Sequence, residues 1–71
     1  SAGWYVVLMG RLIAQAEDLE TALIAAHALD ALVRQGLIHG SMKMNGDEMY
    51  IEFDNVTLDI IHEAVERALA A

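Results

Sequence analysis

The chain has 71 residues, 56% of them hydrophobic and 21% charged, with no cysteine and no proline. That length makes one domain, residues 1–71, with a core small enough for marginal stability, and the hydrophobic fraction excludes intrinsic disorder. Eleven acidic residues against four basic ones leave a formal charge of −7, which repels phosphate backbones and anionic lipid and argues against direct nucleic-acid or membrane binding.

A chain without cysteine has no disulfide framework and no thiolate metal site, which suits a reducing, cytoplasmic setting. No basic segment precedes the first apolar run and Arg11 interrupts it, so neither a secretory signal nor a transmembrane span is expected. Ser1, Ala2 and Gly3 carry no weight in this reading.

The run Trp4–Ala14, WYVVLMGRLIA, reads as a buried β-strand. Tyr5, Val6, Val7 and Ile13 suit a pleated surface, and Gly10 costs a helix interior about 1 kcal/mol relative to Ala. Alternation puts Tyr5, Val7, Met9 and Ile13 on one face and Trp4, Val6, Leu8 and Leu12 on the other. Both faces are apolar, and the chain has little material to cover both.

Gln15–Asp18 turns polar, and Asp18 or Glu17 supplies a helix N-cap. Leu19, Ala22, Leu23, Ala26, Leu29 and Val33 then form the core stripe of a helix to about Gln35, with Gly36 as a left-handed cap. Ile24, Ala28 and Ala31 make a weaker apolar strip on its other side. Asp30 and Arg34 are spaced as an ordinary i,i+4 surface pair.

Alternation over Ser41–Met44 indicates a second strand. Asn45-Gly46-Asp47 is a turn signal, and Glu48–Asp54 is the return strand of a hairpin. Met49, Ile51 and Phe53 share one face of it, with Glu48, Tyr50, Glu52 and Asp54 on the other. Met42, Met44 and Met49 are expected as core filler. The stretch Asp54-Asn55-Val56-Thr57 offers several N-caps for a last helix from near Leu58, with a stripe of Leu58, Ile61, Val65 and Leu69 broadened by Ile60, Ala64 and Ala68.

These elements predict a two-layer α+β fold, β-α-β-β-α. A three-stranded sheet of order 1-3-2, preferred over 1-2-3, carries both helices on one face, a ferredoxin-like arrangement lacking its last strand. Trp4–Ala14 then lies at a sheet edge, longer than its partners, where only Arg11 blunts it. The expectation is a homo-oligomer, a dimer, formed through Trp4, Val6, Leu8 and Leu12.

Catalytic chemistry finds no support. His27, His39 and His62 come from three elements without HxxxH spacing, so no metal or other cofactor is expected. Glu48, Glu52 and Asp54 read as a solvated strand face, no glycine-rich phosphate loop is present, and Ser1 and Ser41 have no triad context. The expected function is therefore a non-enzymatic protein–protein interaction or regulatory subunit that self-associates through its first strand. An unidentified, basic protein is a further partner. Alternatives are an acidic inhibitor or nucleic-acid mimic that blocks a basic groove, and a small-ligand or metal-binding module if the histidines converge.

Overall fold

The computed structural model describes residues 3–71. Five elements follow in order: α1 (Gly3–Gln15), α2 (Leu19–Arg34), β1 (Ser41–Asn45), β2 (Glu48–Glu52) and α3 (Asn55–Ala70). The expected first strand is thus a helix, and the order is α-α-β-β-α. Among the described residues the only sheet is the antiparallel β1–β2 pair, so neither the 1-3-2 nor the 1-2-3 order exists and the ferredoxin-like expectation is overturned. A mixed α and β content remains.

Backbone pairing explains the correction. The hairpin strands have five residues each, too few to pair a strand the length of Trp4–Ala14, whose excess N–H and C=O groups would be left without partners. A helix satisfies those groups internally. It also sorts the apolar run, because Trp4, Leu8 and Leu12 recur every four residues and pack with Met9 against the core. The penalty at Gly10 is small beside this. Gly10 is exposed and an added Cβ would meet nothing within 4 Å, so Gly10→Ala is expected to stabilise the protein by about 0.5–1 kcal/mol. Thermal melting should show a rise of about 4–8 °C per kcal/mol; an unchanged melt would speak against α1 as a helix.

Local signals elsewhere act as the sequence implies. Asp18, in extended conformation at φ −127°, caps α2: its carboxylate accepts from the Glu20 N–H at 3.1 Å and the Thr21 hydroxyl at 2.6 Å. Gly36, at φ +69°, closes it. The Leu37 N–H reaches the Leu32 carbonyl and the Gly36 N–H the Val33 carbonyl, both at 3.0 Å, the bond pattern of a Schellman cap. Gly46, at φ +65°, opens the two-residue hairpin turn between paired Asn45 and Glu48, where a type II′ turn requires glycine. Asp54 begins α3 by accepting from the Thr57 N–H at 2.7 Å.

The core joins Leu29 and Leu32 of α2 to Ile38 of the following loop, with Ile60, Ile61, Ala64 and Val65 of α3 against them. Ala22 and Ala25 are buried on the same side of α2. The expected α2 stripe is therefore rotated: Leu19 and Leu23, assigned to the core, are 59% and 53% exposed. Leu58 and Leu69 of α3 are also exposed, while Ile60 carries weight given to them. In the hairpin, Met49, Ile51 and Phe53 are half-buried and alternate with exposed neighbours, as expected. Met42 and Met44 are exposed rather than core filler, although they pair across from the half-buried Ile51 and Met49 of β2.

Candidate interaction surface

Helix α1 separates the four residues expected to form an interface. Trp4, Leu8 and Leu12 turn toward the core, whereas Val6 is 67% exposed. Trp4 meets Phe53 edge-on, with ring centroids 5.7 Å apart, and the Arg11 guanidinium donates to the Met49 carbonyl. The hairpin is thereby held against α1, and edge pairing through Trp4–Ala14 disappears with the strand.

The apolar surface lies elsewhere. The described residues bury five hydrophobic side chains, two of them alanines, and leave twelve large hydrophobic ones exposed. Several of these gather on the outward side of α2. Leu19, Leu23, Ile24 and Ala28, with Ala68 of α3, line an open groove of about 620 Å³ whose wall is nearly all apolar atoms. Glu20 and His27 supply its polar groups. Sequence periodicity found half of this surface, in the strip of Ile24 and Ala28, and assigned the other half, Leu19 and Leu23, to the core. The signal for the whole was available in α2 itself, which carries more apolar residues than one face can bury.

A polar cluster ties α1 to the far end of α2. The Tyr5 hydroxyl donates to Asp30 Oδ1 at 2.9 Å, and Arg34 Nε donates to Asp30 Oδ2 at 2.8 Å. The Arg34 guanidinium, and secondarily the Tyr5 hydroxyl, hold the Asp30 carboxyl below the usual carboxylate range. Burial and the neighbouring Asp30 push the Tyr5 hydroxyl up. Asp18 is lowered by Thr21 and the Glu20 amide, and Asp54 by the Thr57 amide. These groups complete caps and a helix–helix tether, and Asp18 and Thr21 also stand at the rim of an open cavity of about 580 Å³ beside Leu12, Val65 and Leu69.

The sign of their effect on stability follows from linkage. A carboxylate whose pKa is lower in the folded state than in the unfolded one stabilises the fold above the unfolded value, near 3.9, and loses that contribution as pH falls toward the folded value. The melting temperature is therefore expected to fall below about pH 5, and Asp30→Asn should flatten part of that fall. A wild-type slope in the Asn variant would show that the Tyr5–Asp30–Arg34 cluster does not contribute to the acid response.

The remaining candidates stay apart. His27 lies on α2, His39 in the loop before β1 and His62 on α3, all exposed, and among the described residues no three His, Asp or Glu side chains converge on a metal-sized site. Glu48, Tyr50, Glu52 and Asp54 are exposed, as read for that strand face. Ser41 is exposed at the start of β1, and Ser1 and Ala2 lie outside the described residues. Among those residues no helix is long and apolar enough to cross a membrane. No protein-family model, curated protein or solved structure matches the chain.

Proposed function

We propose that the protein is a non-enzymatic interaction module of the cytoplasm that works as a self-associated subunit and binds further proteins through apolar helix surface. One observation carries this reading: twelve large hydrophobic side chains are exposed against five hydrophobic residues buried. Three of the twelve, Leu19, Leu23 and Ile24, are gathered in one groove, and gathered rather than scattered apolar surface is what interaction sites present. A core this limited also gains from association, since burying surface between copies stabilises only the folded chain. The charge of −7 favours basic partners for the surface left free and disfavours nucleic acid.

Association linked to folding makes the melting temperature rise with protein concentration. Sedimentation at tens of micromolar is expected to show a dimer. A monomer there, with a concentration-independent melt, would overturn self-association. Leu8 is unsuited to the test because it packs on its own core, so its replacement reports folding rather than assembly.

A further inference from the structure

We propose that α2 is the dimer interface, pairing antiparallel with α2 of a second copy about a two-fold axis between Leu23 and Ile24. The proposal rests on the self-association inferred above and names its surface.

The groove residues of α2 are symmetric about that point. Leu19 and Ala28, Glu20 and His27, and Leu23 and Ile24 are equidistant from the midpoint between Leu23 and Ile24. In an isologous interface, residue i of one copy meets j of the other, and j meets i. At 1.5 Å rise per residue, an antiparallel pairing centred there sets Glu20 level with His27 of the second copy, twice. Seven residues apart, Glu20 and His27 differ by only about 20° around the helix, so both project from the middle of the same face. The imidazole has a ring N–H to donate and the carboxylate accepts, whichever charge the ring carries. Leu23 and Ile24 straddle the axis and meet their own counterparts, with Leu19, Ala28 and Ala68 at the margins.

Charge selects this occupant and this direction. A parallel pairing in register would set Glu20 against Glu20 and His27 against His27, a repulsive arrangement in a chain that is already acidic. The antiparallel one sets an acid against a hydrogen-bond donor at both ends of an apolar centre. Glu20 is the one acid lining the groove, so two copies approach here without opposing carboxylates. The patch is at the small end for a specific interface, and a micromolar dissociation constant is expected.

Sedimentation of the full chain tests the proposal, with circular dichroism to confirm helix content. Ile24→Lys places two cations at the centre of the interface and should weaken association on the order of 100-fold. Glu20→Lys should weaken it about 10-fold, and the exchange Glu20→Lys with His27→Glu should restore it. Because the chain has no cysteine, Leu23→Cys adds a single thiol beside the axis. Mild oxidation should link two copies through it and leave a Val6→Cys control unlinked. A wild-type dimer that Ile24→Lys and the charge exchange leave unaltered would overturn the α2 interface while self-association stands. A wild-type monomer at tens of micromolar, with a concentration-independent melt, would overturn both.

Discussion

Ile38→Ala is expected to remove a large share of the free energy that holds the protein folded. Ile38 is 2% exposed, the most deeply buried side chain described, and touches the core built by Leu29 and Leu32. Truncating a buried isoleucine costs about 2–5 kcal/mol, as lost transfer energy plus the cavity left behind. At roughly 0.05–0.15 kcal/mol per residue, a chain of this size has about 4–11 kcal/mol in total. The loss is therefore a large share of the whole. Collapse around the cavity is limited because Ile38 follows the Schellman turn at Gly36, whose bonds to Leu32 and Val33 fix the direction in which the chain enters the core. Urea denaturation followed by the fluorescence of Trp4, the single tryptophan, measures the effect. A loss under 1 kcal/mol would show that the loop after α2 does not carry the core.

Gly40→Ala should destabilise by about 1–3 kcal/mol, the usual range for overpacking. The glycine is required by space, since its φ is not positive. An added Cβ would come within 2.8 Å of Trp4 Cε3, 2.9 Å of Phe53 Cε1 and 3.0 Å of Ile51 Cγ2. Two of these atoms belong to the edge-to-face pair of Trp4 and Phe53, so relief means disturbing the seat of the hairpin on α1. Phe53→Leu in the Gly40→Ala background should recover part of the loss, which a purely backbone effect at residue 40 would not allow. An unchanged denaturation midpoint in Gly40→Ala would place Trp4 away from the hairpin.

The chemistry that was legible in the sequence is local. Asp18 caps α2, Gly36 ends it in the left-handed region and Asn45-Gly46-Asp47 turns the hairpin, because each acts on backbone groups within a few residues of itself. The alternation of Met49, Ile51 and Phe53 with exposed neighbours has the same origin, successive side chains pointing to opposite faces of a strand. Composition was legible too, because charge and the number of apolar residues do not depend on folding. The surplus of apolar side chains over what a short chain can bury belongs to the sequence alone.

Tertiary structure decided everything that requires a choice between two satisfactory patterns. Trp4–Ala14 is apolar at both the strand and the helix period, so its own residues do not discriminate. The two short strands of the hairpin do, because they offer too little backbone to pair with it. Helix α2 likewise carries apolar residues on more than one side. The side that turns inward is set by where α1 and α3 seat, on Leu29 and Leu32, and Ala22 and Ala25 are buried on that same side. Leu19, Leu23 and Ile24 are left outside. The candidate interface is thus what remains when the neighbours of α2 have taken their share. Its residues were all present in the sequence, but their exposure is a property of the packing.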